Sequence, residues 1–253
     1  MIEVVHLSKR FGNTTVLTDI NAVFHKGKVN QVIGKSGSGK SVLAKCIVGL
    51  YTPEEGEVKY DGKSFHTLDK EGKRQIRQEI GMLFQSSALF DSLTVLENVM
   101  FPLRMFATMG PKEMAERAHF CLQRVKITDK DQLFPSQISG GMQKRVGIAR
   151  AIAMNPKYLF VDEPNSGLDP QTSIVIDELI KEITEEYDTT TIVITHDMNS
   201  VMETGHNILF IHEGKAWWKG SLDELLESEN KELNDFIYAS GLMRQVRKTM
   251  KGR

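Results

Sequence analysis

Eight consecutive residues, Gly34-Lys35-Ser36-Gly37-Ser38-Gly39-Lys40-Ser41, satisfy the spacing G-x-x-x-x-G-K-[ST]. Glycines let backbone N–H groups turn toward one anion, a lysine reaches terminal phosphates, and a hydroxyl suits a hard cation. That combination points to a nucleotide polyphosphate held with Mg²⁺. A second stretch, Tyr158-Leu159-Phe160-Val161-Asp162-Glu163, runs an apolar segment into two carboxylates. It reads as a buried parallel strand that delivers its acids at the carboxyl end, where open α/β sheets place ligands. Asp162 suits support of Mg²⁺, and Glu163 suits acceptance of a proton from an attacking water. A third stretch, Ser139-Gly140-Gly141, precedes a predicted helix. Free N–H groups there offer an anion site, although the same residues also fit an ordinary N-cap and turn. The chain thus carries two phosphate-binding candidates, where one nucleotide needs one cradle. Upstream, Phe11 fits either packing or stacking on a nucleobase.

These residues need elements to position them. Val29 to Ile33 reads as a strand entering the first loop, and Ser41 to Leu50 as a helix leaving it, with Val42, Leu43, Cys46, Ile47 and Leu50 on one face. Before it, Ile2 to Leu7 and Val16 to Phe24 read as strands around the turn-prone Gly12-Asn13. Charged residues 69–79 predict a solvated helix. From Gln85 to Phe106 the chain is rich in Phe, Leu and Met, which suits either core packing or an adaptable docking surface. Pro111 opens a helix striped by Met114, Ala118, Cys121, Leu122 and Val125, and a further helix follows Gly141 until Asn155-Pro156. Strand and helix alternate on both flanks, whereas the middle is helical. The fold expected is α/β: a phosphate-loop core with a mostly parallel sheet, an antiparallel β subdomain, and a helical subdomain inserted at about 90–155.

Composition narrows the partners. A formal net charge of −1 gives no reason to expect a nucleic-acid partner. No apolar run approaches the ~18 residues that cross a bilayer, so a membrane role would be exercised through partners. Cys46 and Cys121 sit in predicted helices among apolar residues and read as reduced core thiols.

The order Gly34–Ser41, Gln85, Ile138-Ser139-Gly140-Gly141-Met142, Tyr158–Glu163, Ser166-Gly167-Leu168-Asp169 and His196 resembles the ATPases of ATP-binding-cassette (ABC) transporters over Val4 to about Leu226. In that family two subunits sandwich two ATP molecules head to tail, which accounts for the second cradle. The resemblance implies one ATPase domain over residues 1–226 and a C-terminal extension over 227–253. It implies ATP and Mg²⁺ as the ligands and hydrolysis as the reaction. Phe11 would stack on adenine. Residues Gly34 to Gly39 would wrap the phosphates, Lys40 would neutralise them, and Ser41, Gln85 and Asp162 would serve the metal. Glu163 would be the general base, oriented by His196, which would also contact the γ-phosphate, and Gln85 would contact the attacking water. Ser139, Gly140 and Gly141 would bind the γ-phosphate of the other copy, and Asp169 would shape the dimer interface. The implied partners are a second copy of the chain and a membrane permease contacted near Gln85–Phe106. The implied location is peripheral, on the cytoplasmic face of the inner membrane.

Two positions depart from the common pattern. Met142 replaces the signature glutamine, and Asn165 stands in Pro164-Asn165-Ser166 where threonine is usual. Met142 and the block Phe84 to Val99 are similar to the Mla-type ATPases of lipid transport. That similarity implies a phospholipid cargo and an MCE-domain partner. Other cargoes (amino acids, metal ions, drugs) and a soluble ABC-type switch are the competing readings. A phosphate-loop kinase would not require Ser139-Gly140-Gly141 or His196.

Overall fold

The phosphate loop leaves an inner strand of a six-stranded sheet. A computed structural model describes residues 1–239. In chain order the strands and helices are β1 (Ile2–Phe11), β2 (Thr14–Phe24), β3 (Lys28–Ile33), α1 (Lys40–Ile47), β4 (Glu55–Tyr60), β5 (Lys63–Ser64) and α2 (Lys70–Gln78). They continue as β6 (Ile80–Leu83), α3 (Val95–Phe106), α4 (Pro111–Arg124), α5 (Gly140–Ile152), β7 (Tyr158–Asp162), α6 (Pro170–Glu186) and β8 (Thr190–Thr195). The last are α7 (Met198–Thr204), β9 (Asn207–His212), β10 (Lys215–Gly220), α8 (Leu222–Glu227) and α9 (Lys231–Ile237).

The large sheet has the order β10-β9-β3-β8-β7-β6, and only the β10–β9 pair is antiparallel. β8 lies between β3 and β7. The loops that leave these three strands, carrying Gly34, His196 and Glu163, therefore emerge side by side at one edge. An antiparallel sheet, β2-β1-β4-β5, forms the second layer. The fold is the α/β phosphate-loop architecture that the sequence predicts.

Alternation along β8 shows how the layers are glued. Ile192 and Ile194 join the core shared with α1 and the antiparallel sheet, while Val193 joins the core under α3, α4 and α5. Between β6 and β7, those three helices pack through Val99, Leu103, Ala118, Cys121, Leu122 and Val146. Burial pushes the Cys46 and Cys121 thiols up to about 11, as befits unreactive core sulfurs. Behind β9, Phe210 packs with Leu225, Leu233 and Ile237 of α8 and α9. The basic tail Arg244 to Arg253 lies outside the described residues.

One predicted contact does not form. α1 ends at Ile47, and Gly49 takes a left-handed backbone (φ 74). Leu50 is thereby carried off the apolar face and is 59% exposed. Met142, in contrast, packs against the helical core.

Candidate functional site

The phosphate loop is built where side chains would obstruct it. Gly34 has φ +150, and a Cβ there would meet Ser38 Oγ at 2.8 Å and the Ile211 carbonyl still closer. Gly39, the residue before α1, has φ +107, and its Cβ would meet Leu17 Cδ2 at 2.6 Å. Lys40 begins α1 and is buried, and its Nζ donates to the carbonyls of Gly34 (2.8 Å) and Lys35 (3.1 Å). Burial lowers its pKa, and the charges of Glu163 and Asp162 oppose that shift. A cavity of about 410 Å³ opens over Ser36, Gly37, Gly39, Lys40 and Ser41 and also reaches Val16, Gln85, Glu163 and His196.

Glu163 follows β7 directly. Its backbone is left-handed (φ 48), a conformation that typically costs a non-glycine residue of order 1 kcal/mol or more. Two contacts hold it there: its N–H donates to the Ile194 carbonyl (2.9 Å), and its carbonyl accepts from Lys144 Nζ (3.1 Å). The side chain is thereby delivered to His196, whose Nδ1 lies 2.8 Å from Glu163 Oε1. A histidine that donates through Nδ1 leaves the second carboxylate oxygen free to take a proton, and fixes the direction in which it faces.

Asp162 is the other acid. Burial, then the neighbouring Glu163 charge, raise its pKa, whereas Lys40 and the Ser41 hydroxyl pull it down. Its Oδ1 is buried and has no hydrogen-bond partner among the described residues. An orphaned carboxylate oxygen beside a serine hydroxyl is a hard-oxygen donor set, which suits Mg²⁺ completed by phosphate oxygens and water. Ser41, Asp162 and Gln85 therefore fit the ion. When bound, it neutralises phosphate charge. Ser38 Oγ is likewise buried without a partner.

Lys144 went unread in the sequence. It sits on α5 one turn after the Ser139-Gly140-Gly141 stretch, is buried, and its Nζ donates to the carbonyls of both Gln85 and Glu163. One ammonium thus ties the loop after β6 to the turn after β7. The only available signal was a cation inside an otherwise apolar helical face, Val146-Gly147-Ile148-Ala149. Lys144→Met keeps the buried stem and removes the ammonium. We expect kcat for ATP to fall about tenfold while KM changes little, as displaced catalytic groups require; steady-state ATPase kinetics test this.

Other predicted residues stand apart from the cavity. Ser139 and Gly140 are exposed at the start of α5, and Ser139 Oγ accepts from the Met142 N–H (3.3 Å) as an N-cap. Gly141 is buried, and a Cβ there would meet Thr172 Cγ2 at 2.6 Å. Asp169 caps α6, accepting from the Thr172 N–H (3.0 Å) and hydroxyl (2.5 Å). These hydrogen bonds hold its carboxyl below the usual range. The starts of α5 and α6 therefore lie against each other, and none of Ser139, Gly140, Gly141 and Asp169 lines the cavity over the phosphate loop. Phe11 lies at the end of β1 with 44% of its surface exposed, its ring edge-on to Tyr51 at 5.2 Å and Lys9 Nζ 5.1 Å from its centroid. Tyr51, with Lys45 Nζ 5.6 Å from its ring, is a second aromatic that the sequence did not single out.

With that geometry in hand, comparison with known proteins is direct. A family model described as ABC transporter matches residues 17–166. The methionine import ATP-binding protein MetN of Campylobacter jejuni is 36% identical over 96% of this chain and 77% of its own length. That of Desulfitobacterium hafniense is 38% identical over 94% and 71%. Among solved structures, a dimeric post-hydrolysis state of an ATP-binding cassette bound to ADP and Pi superposes with a TM-score of 0.80. It shares 34% identity and covers 88% of this chain and 99% of that one. A cassette from Clostridium perfringens, part of the ABC transporter complex cbiONQ, gives 0.83 at 28% identity over 99% and 98%.

These relatives correct one expectation. Similarity to Mla-type lipid ATPases is overturned by relatives that are methionine-import ATPases, and a phospholipid cargo and an MCE-domain partner fall with it. The residues that suggested lipid have local work to do. Met142 is half-buried and packs against the helical core. In the block after Gln85, Asn98 is buried and its side chain bonds the backbone of Phe90, Leu93 and Thr94, while Thr94 and Glu97 form the capping box of α3. Such residues report on how the loop folds and not on what is carried.

Proposed function

This chain belongs to the ABC transporter family, and from that premise we propose that it is the ATPase subunit of an importer whose cargo is methionine or an amino acid of similar size. Hydrolysis of ATP to ADP and phosphate, coupled to transport, is the activity of that family. The observation that carries the assignment of roles is the Glu163–His196 pair at 2.8 Å, facing the Lys40 loop across one cavity. Glu163 takes the proton of a water as its oxygen bonds to the γ-phosphorus and the bond to the β–γ bridging oxygen breaks. Lys40 and the loop N–H groups receive the phosphate charge. His196 keeps the carboxylate aimed.

Ser139, Gly140 and Gly141, exposed or shaped around Thr172 and absent from the lining of their own phosphate-loop cavity, suit the γ-phosphate held by a second copy. The dimeric cassette relative supports that reading. For the permease, the stretch Gln85–Phe106 borders a groove of about 400 Å³, lined by its Phe90, Phe101 and Phe106 together with Met82 and Phe84 just before it. No helix among the described residues is long and apolar enough to cross a membrane. Peripheral placement at the cytoplasmic face, held by a permease, is part of the proposed reading and rests on the ABC transporter relatives. An amino-acid cargo rests on the two relatives at 36% and 38% identity. The chain and its permease, co-purified and reconstituted in vesicles, should accumulate labelled methionine only with ATP. Vigorous turnover with no uptake and no response to methionine would remove that cargo.

A further inference from the structure

A buried polar chain runs beneath the site and takes no part in the chemistry described so far. Asp177, in the middle of α6, is 5% exposed on a face shared with Ile176, Leu179, Ile180 and Ile183. A carboxylate in such a place costs free energy unless donors surround it. Two do. The Asn165 amide donates to Oδ2 at 2.9 Å, and the Ser200 hydroxyl donates to Oδ1 at 2.8 Å. Asn165 lies two residues after Glu163, in the turn that leaves β7. Ser200 lies four residues after His196, in α7. The chain continues inward: Gln31 of β3, three residues before the phosphate loop, donates through Nε2 to the Ser200 carbonyl (3.2 Å) and the Thr204 hydroxyl (2.9 Å).

We propose that Asp177 is a positioning residue for ATP hydrolysis, holding the turn that carries Glu163 in register with the loop that carries His196 through Asn165 and Ser200. The inference rests on the ATPase reading above and adds residues to it. Three features support it. Both donors are neutral, so no salt bridge accounts for the buried acid. Leucine would fill the same face of α6 at no desolvation cost, yet the position is acidic. Asn165 is the departure from the usual Pro-Thr-Ser run, and its longer amide is what reaches the carboxylate. Burial raises the Asp177 carboxyl to about 6, which leaves it ionised, and hence an acceptor at both oxygens, at neutral pH. β7 and β8 are already paired up to the Glu163 N–H bond to the Ile194 carbonyl (2.9 Å), and Asp177 adds a second tie farther along both loops, on the far side of the Glu163–His196 contact of 2.8 Å.

The test is steady-state ATPase kinetics of the full chain in complex with its permease. Asp177→Leu should lower kcat about tenfold with KM for ATP within about twofold, since nucleotide is bound by the phosphate loop and only the alignment of base and histidine is lost. Asp177→Asn keeps both contacts if the Asn165 amide turns to accept, and should recover kcat to within about threefold of the unsubstituted chain. A merely structural carboxylate predicts an Asp177→Leu protein of lower melting temperature whose folded fraction turns over normally; that result overturns the proposal. Should Asp177→Leu fail to fold, Asn165→Ala and Ser200→Ala each remove one contact. Unchanged kcat in both overturns the proposal, and a fall in both with KM retained supports it. Absence of turnover in the unsubstituted complex would instead sink the ATPase reading itself.

Discussion

Glu163→Gln should bind ATP normally and hydrolyse it about 10²–10⁴ times more slowly, the usual worth of a positioned general base. The substitution is nearly isosteric. Glutamine occupies the left-handed backbone at this position no worse than glutamate, and its Oε1 still accepts from His196 Nδ1, now 2.8 Å from the carboxylate. What disappears is the group that takes the proton. Binding should survive for an electrostatic reason as well. The Glu163 charge is one of the causes that raise the Asp162 pKa, so its removal makes Asp162 easier to ionise and reduces repulsion toward phosphate. Single-turnover hydrolysis beside equilibrium binding separates the two effects. A variant that loses affinity but keeps its single-turnover rate would show that Glu163 contributes to binding and not to proton transfer.

Lys40→Ala should do the reverse and weaken ATP affinity roughly 30-fold or more, the consequence of truncating one partner of a buried charge pair. For folding, two opposing effects are at work. Burial lowers the Lys40 pKa, which means that the folded chain disfavours the charged ammonium. That cost is present below the folded pKa and vanishes as the pH rises through the ordinary one, so alanine relieves it at neutral pH. Against this stands the loss of two hydrogen bonds to the Gly34 and Lys35 carbonyls, each worth about 1 kcal/mol net. The two act in opposite directions, so thermal unfolding without nucleotide should change by less than the ATP-dependent shift does. With ATP the contrast is large. At 100 times its Kd, ATP stabilises the unsubstituted chain by about 2.7 kcal/mol, whereas a 30-fold weaker variant gains about 0.9 kcal/mol at the same concentration. Thermal shift with and without ATP reads this directly. Equal ATP-dependent shifts in both proteins would remove Lys40 from the phosphate site.

Much of this machinery is legible in the sequence because it depends on local spacing. A glycine run before Lys40-Ser41, an apolar segment that stops at Asp162-Glu163, and a histidine just after β8 each need only a strand and its loop. The parallel order of β3, β8 and β7 then brings them together. Helix boundaries were less legible. Leu50 fits the periodicity of α1, but Gly49 takes a left-handed backbone and turns the chain out before it. Polar side chains that act across the fold gave no local signal at all. Lys144, Asn98 and Asp177 look like ordinary surface residues of helices, yet all three are buried and each bonds a segment outside its helix. Met142 shows the opposite error. Its rarity in the signature suggested a cargo, whereas its half-buried side chain packs against the helical core.

The central claim is that Gly34–Ser41 is half of a composite site, completed by Ser139-Gly140-Gly141 from a second copy. Native mass spectrometry of Glu163→Gln with ATP and Mg²⁺ tests it most directly, because this variant should retain what it binds. The predicted species contains two chains and two ATP molecules, and reverts to single chains when Ser139 and Gly140 are also replaced by bulky residues. A species of one chain with one ATP, unchanged by those replacements, would contradict it.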